Sequence, residues 1–180
     1  MVEYTPCKVP QMSINQEYME LLLQQINYFQ EEIKIWSLNF LKKNVENKFF
    51  QVKEEEISKL EDELKVHVPK ELKELLLEVG YGFINGSENN VNRIMDIASI
   101  RDFRLRKGDF EFYPDIEIYD DYEDGKLIFF EGSESALLSI ELTERSTSSI
   151  FYYDVKIADS LVEFLLKIQE DDKFYLELLD

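Results

Sequence analysis

Apolar residues first recur at helical spacing between residues 15 and 47. Leu22, Ile26, Phe29, Ile33, Trp36 and Phe40 step by four or three along one stripe, and Leu21, Tyr28 and Ile35 form a second row that widens it. The pattern predicts one long amphipathic helix over 15–47, with Asn44 and Asn47 as breakers and Phe49-Phe50 as an anchored turn after it. Its polar face mixes both charges and is not basic, which reads as a helix packed on the domain or on a second copy and not as a membrane-surface helix. Ile57, Leu60 and Leu64 mark the buried side of a second helix over 53–64, whose early glutamates suit the positive end of its dipole. Pro69 then suits the first turn of a third helix, Leu72, Leu75, Leu76 and Val79 share one face of it, and Gly80 supplies its stop. Residues 80–92, rich in Gly and Asn, read as a loop.

Beyond residue 92 the period changes. Arg93 to Ile97 reads as a short strand and Ser99 to Arg106 as a helical turn. In residues 109–125, Phe110, Phe112, Ile116 and Ile118 alternate with polar positions, which predicts a strand, and Asp124-Gly125 is a tight-turn signal. Leu127 to Phe130 is an apolar strand, while Ala136–Leu142 and Ser149–Tyr153 predict an antiparallel hairpin. A helix over Ile157–Ile168 buries Leu161, Phe164, Leu165 and Ile168, with Asp159 or Ser160 as its cap, and a tail carries Phe174, Leu176 and Leu179. The fold class is α+β: N-terminal helices, a mixed or antiparallel sheet of about five strands, and a closing C-terminal helix packed on it. Residues 1–50 form an extension dominated by the long helix, after an extended lead over 1–13, and residues 51–180 form the main domain.

Charge sharpens this division. The 180 residues carry 38 acidic and 20 basic side chains, for a net charge of −18, and residues 51–180 hold 32 of the acids against 15 bases. Such a surface repels nucleic acid and anionic membranes and favours a basic partner. Cys7 is the single cysteine, so the chain forms no internal disulfide, and a reducing cytoplasm is the expected compartment. The start lacks the pattern of a signal peptide, and no apolar run approaches the length of a membrane span.

Few residues carry chemistry. His67 is the single histidine and stands beside Pro69 in an interhelical link, with no nucleophile signature anywhere, so no catalytic triad and no histidine-based metal site is expected. The spacing of Asp120, Asp124-Gly125 and Glu131 approaches a calcium loop, but Tyr122 stands where a carboxylate is needed and the flanks are not helical. No cofactor is expected. Arg101, Arg104, Arg106 and Lys107 form a basic cluster, read as pairing with the acidic stretch just downstream. That stretch, residues 109–125, holds eight acidic residues and no basic one, interleaved with Phe110, Phe112, Tyr113, Tyr119 and Tyr122. Carboxylates steer toward a basic surface and aromatics anchor a contact. The same letters also describe a solvated edge strand with buried aromatics; on the binding reading, the candidate partner-binding residues are Asp115, Glu117, Tyr119, Asp120, Asp121, Tyr122, Glu123 and Asp124.

The order of pieces from residue 54 onward resembles the SUKH superfamily, which includes bacterial immunity proteins and a fungal regulator of cell-wall glucan synthesis. Glu56 to Glu61 matches its first short helix, and Val68-Pro69-Lys70-Glu71-Leu72 through Leu76 looks like its leucine-proline helix. Gly80-Tyr81-Gly82 stands where the family has an asparagine-glycine-glycine turn, and Ile150 to Asp154 resembles a strand ending in tryptophan-aspartate. Ile157 to Leu165 is close to its closing helix. Val68 and Leu72 depart from the usual leucine and tyrosine. The resemblance implies a cytoplasmic, non-enzymatic binding protein: an immunity protein that occludes a cognate toxin, of basic nuclease type, with its acidic surface. The other branch implies a regulatory scaffold. The helix of 15–47 offers a face for a homodimer.

Overall fold

A computed structural model describes residues 16–44, 46–84, 92–114 and 116–177. The lead with Cys7, most of the Gly- and Asn-rich loop, Asp115 and Leu179 lie outside these residues. The chain divides into two compact units, Met1–Lys34 and Ile35–Asp180. The first is represented by the greater part of helix α1, Gln16–Lys43. Both breakers act at its end. Asn44 Oδ1 accepts from the Glu46 backbone N–H at 3.1 Å, and Asn47 Nδ2 donates to the Leu41 carbonyl at 3.0 Å, meeting an orphan acceptor of the last turn.

The second unit is built on one antiparallel sheet of seven strands whose spatial order is their chain order. The strands are β1 Lys48–Phe50, β2 Tyr81–Phe83, β3 Arg93–Ile94, β4 Lys126–Glu131, β5 Leu137–Glu141, β6 Ile150–Tyr152 and β7 Val155–Ala158. Five strands were expected from the sequence. β1 stands where a turn was read, β2 inside the expected loop, and β7 where the closing helix was expected to begin. Strands of three or four residues are too short to display alternation, and Ile157 falls in helical step with Leu161 and Leu165. The expected hairpin forms, with Leu138 opposite Tyr152 and Ile140 opposite Ile150.

Four further helices cover the sheet: α2 Glu54–Leu64, α3 Lys70–Glu78, α4 Ile97–Leu105 and α5 Leu161–Glu170. α2 packs against α4, α4 against β4, and α5 against β7 and α3. Leu127, Ile128, Phe129 and Phe130 of β4 are all buried, so both faces of the central strand are covered. The α3 face is the one expected: Leu72, Leu75, Leu76 and Val79 lie in the core. Each such side chain contributes roughly 1.5–3 kcal/mol of burial. α5 is capped by Ser160, whose Oγ accepts from the Glu163 N–H at 3.0 Å.

Two positive-φ glycines tie α3 to the sheet edge. A Cβ on Gly80 would stand 2.0 Å from the Phe50 carbonyl oxygen, and one on Gly82 2.0 Å from that of Lys48. β1 therefore lies on β2 so closely that only glycine fits.

A long-range bond closes the far end. Tyr175, fully buried, donates from its hydroxyl to Asn92 Oδ1 at 2.8 Å and accepts from the Ser133 N–H at 2.6 Å. Asn92 Nδ2 in turn donates to the Asp172 carbonyl at 2.8 Å.

Candidate partner-binding surface

The acidic stretch is not a strand. Gly108–Phe110 and Ile116–Asp120 are short 3-10 helices, and the segment between them continues as turns. Tyr113 N–H donates to the Phe110 carbonyl, Ile116 N–H to Tyr113, and Tyr122 N–H to Tyr119, each spanning three residues. The inward side chains follow the same stride. Phe110, Tyr113, Ile116, Tyr119 and Tyr122 are spaced by three and are buried or half-buried. The alternation read from the sequence pairs Phe112 with Phe110 and Ile118 with Ile116, but Phe112 is 88% exposed and Ile118 51% exposed. Pro114 also removes an N–H that a ladder would need.

Phe103 of α4 is the hub against which the segment folds. Its ring meets Phe110 edge-on at 5.2 Å and Tyr119 at 5.5 Å. Tyr119 continues into a tyrosine stack: Tyr153 lies 5.7 Å from it, Tyr122 lies 5.2 Å from Tyr153, and Tyr152 4.6 Å. Tyr153 reaches this position from the two-residue turn between β6 and β7, with φ of 54°. Burial pushes the Tyr152 phenol up to about 12 and the Tyr119 phenol higher still, so both remain neutral donors.

Two members of the basic cluster, Arg104 and Arg106, pair with the acidic stretch, as their sequence position suggested. Arg106 Nη2 lies 2.7 Å from Asp120 Oδ1 and 2.8 Å from Glu123 Oε2. Arg104 Nη1 lies 3.4 Å from Glu123 Oε1 and donates to the Glu123 carbonyl at 2.9 Å. Arg101 turns instead to Asp102, at 2.8 Å, and Glu63, at 3.6 Å. Glu123 is 3% exposed. Burial pushes its carboxyl above the ordinary glutamate range, against the pull of the two guanidiniums.

The structure thus sorts the eight candidate residues by depth. Asp115 lies outside the described residues. Tyr119 is buried in the aromatic cluster, and Glu123 is buried between two arginines. Tyr122 is half-buried on Tyr153. Glu117, Asp120, Asp121 and Asp124 are exposed, Asp120 while bridging to Arg106. Phe112 and Ile118 of the same segment are also exposed, and a three-residue reading of it would have placed both outward.

Other chemistry has little footing. His67 is exposed between α2 and α3, near Glu61. Glu131, which completes the calcium-loop spacing, pairs with Arg93 at 2.8 Å. Among the described residues no group of three or more His, Cys, Asp or Glu is placed to hold a metal ion. A cleft of about 370 Å³ is lined by Asn44, Asn47, Gln169 and Asp171 among others, and its described lining holds no serine, cysteine, lysine or histidine. No described helix is long and apolar enough to cross a membrane.

Residues 54–165 match the family described as SUKH_6: SMI1-KNR4 cell-wall. This chain belongs to the SUKH superfamily. The match runs from α2 to the middle of α5, so it takes in both the α3 helix and the acidic stretch of the SUKH domain. The chain is also 61% identical over 144 residues to a Bacillus subtilis (strain 168) protein named "Immunity protein YxxD". That alignment covers 80% of this chain and 98% of its relative.

Proposed function

We propose that this SUKH protein is an immunity protein that binds a cognate toxin and blocks it without catalysis of its own. The observation that carries the reading is the 61% identity to a protein named as an immunity protein, over 98% of that protein's length. The toxin domain is basic, of nuclease type, and is met by the face that presents Glu117, Asp120, Asp121 and Asp124 around Phe112 and Ile118. Two features support this finer assignment: the net charge of −18, and the exposed Phe112 and Ile118 in the same segment as four exposed carboxylates. Carboxylates at a rim raise the association rate, and a central aromatic supplies the slow dissociation. The protein acts in the cytoplasm, where such a toxin would otherwise meet its target.

The test is co-expression with the products of the genes that neighbour this one, scored by growth rescue and copurification. Rescue with an association rate that falls steeply as salt rises supports both parts of the proposal. Rescue with a salt-independent rate removes the acidic face and leaves immunity standing. A second reading, a regulatory scaffold, is favoured by the cell-wall wording of the family description. It predicts no toxin gene alongside and no rescue.

A further inference from the structure

Arg106 follows the last residue of α4 in the left-handed conformation, with φ of 52°. Its guanidinium lies over the ring of the fully buried Phe103, 4.8 Å from the centroid, and its Nη1 donates to the Phe103 carbonyl at 2.7 Å. Its Nη2 meets the buried Glu123 Oε2 at 2.8 Å. Core groups thus fix the guanidinium on three sides. At the surface the same Nη2 donates to Asp120 Oδ1 at 2.7 Å. The Asp120 side chain is 67% exposed, yet one shared guanidinium ties it to a buried carboxylate. Among the described residues, the other exposed carboxylates of the face, Glu117, Asp121 and Asp124, have no hydrogen bond or ion pair.

Charge gives the two kinds of carboxylate different work. Arg104 and Arg106 stand against Glu123 and Asp120 in one chain of contacts, two positive charges against two negative. Beyond a Debye length of roughly 8–10 Å such a group is close to neutral, so Asp120 adds little to the field that draws a partner in. At contact distance the balance differs. Arg106 occupies Oδ1, and an ionised carboxylate keeps lone pairs for a further donor. A side chain ordered in advance also spares the partner contact an entropy cost of roughly two- to tenfold in affinity.

We propose that Asp120 is the specificity-determining carboxylate of this face, held by Arg106 and Glu123 to receive one arginine or lysine side chain of the partner, while Glu117, Asp121 and Asp124 steer. This rests on the toxin-binding reading above and adds to it a division of labour. Arg106 and Glu123 are positioning residues that act through Asp120.

Two measurements test it. On the full chain alone, three-bond couplings to the β protons should report a single rotamer for Asp120 and averaging for Glu117, Asp121 and Asp124. In Arg106→Ala combined with Glu123→Gln, Asp120 should average as well. Averaging of Asp120 in the parent overturns the proposal whatever the partner is. The second measurement uses the neighbouring gene product that copurifies with the chain. Asp120→Asn should speed dissociation about tenfold and leave association within about twofold, whereas Glu117→Gln, Asp121→Asn and Asp124→Asn should each slow association roughly two- to threefold at low salt and leave dissociation unchanged. The Arg106→Ala, Glu123→Gln pair leaves the net charge unaltered, so it should dissociate like Asp120→Asn and associate at the parent rate. A merely structural loss would slow association too. An Asp120→Asn effect confined to association, or dissociation speeded equally by all four single variants, overturns the assignment. If no neighbouring product copurifies, the immunity reading falls and the partner's part of the proposal falls with it, while the couplings still decide whether Asp120 is held.

Discussion

The Glu71 carboxylate accepts a hydrogen bond from the Ser148 backbone N–H at 2.7 Å, 77 positions later in the chain. The same oxygen accepts from the Leu161 N–H at 3.3 Å, in the first turn of α5. One buried side chain of α3 thus satisfies two amides that no local residue reaches, and its negative charge sits at the positive end of α5. Glu71→Ala should cost about 2–3 kcal/mol in urea unfolding, because it leaves those N–H groups buried without acceptors. A loss under 0.5 kcal/mol, the ordinary surface value, would show that the amides find water instead.

The same residue gives a pH dependence. Burial raises the Glu71 carboxyl above 4.5, against the backbone amides that pull it down. The folded protein therefore holds this proton more tightly than the unfolded chain. The stability it contributes is full below pH 4.5 and is lost as pH rises through the folded-state value. Glu71→Gln removes the titration, so the stability of the variant relative to the parent should climb as pH increases from about 4 to 7. A series of unfolding curves across that range checks it, and a flat difference contradicts it.

Gly82→Ala should unfold the edge of the sheet. Its φ of 142° is foreign to alanine, and the added methyl would stand 2.0 Å from the Lys48 carbonyl oxygen. A loss of roughly 2–4 kcal/mol is expected, with faster hydrogen exchange in β1 than in β4.

Arg106→Ala should destabilise more than its half-exposed neighbours suggest. It strips Glu123 of its closest partner and leaves a buried carboxylate to Arg104 alone. Breaking a buried pair costs roughly 3–5 kcal/mol, and the remaining arginine should hold the loss near 2 kcal/mol. Arg106→Ala combined with Glu123→Gln should recover part of it, which a double-mutant cycle measures directly.

Phe112→Ala separates binding from folding. At 88% exposure the ring contributes little to the domain, so the melting temperature should stay within about 1 °C of the parent. Affinity for the proposed toxin partner should fall by about tenfold or more. An unchanged affinity would move the contact to another face.

The helices were legible because each shows a full turn or more of its period and a recognisable end. Pro69 with Gly80, and Asn44 with Asn47, bound their helices as their chemistry required. What stayed hidden was short or distant. β1 and β2 contribute three residues each and are held by glycines whose reason for being there is the opposite backbone. Glu71 looked like one more polar position on α3, because the groups it serves lie 77 and 90 residues away. The acidic stretch failed differently. Phe110, Tyr113, Ile116, Tyr119 and Tyr122 state a period of three openly, but Phe112 and Ile118 beside them imitate a period of two. The family resemblance, carried by α2, α3 and α5, said nothing of which reading was right.

Strand order has a consequence for how the protein comes into being. Each strand of the sheet pairs with its neighbours in chain order, but β2 reaches β1 only after α2 and α3 have been made, and β4 reaches β3 only after α4 and the acidic stretch. From β4 to β7 the strands follow one another closely, and that part of the sheet can lengthen hairpin by hairpin as the chain is made. The clasps from Glu71 to Leu161 and from Asn92 to Tyr175 can shut only after all seven strands have been made. In a chain made in that order the sheet is laid down before the bonds that lock its covering helices are available.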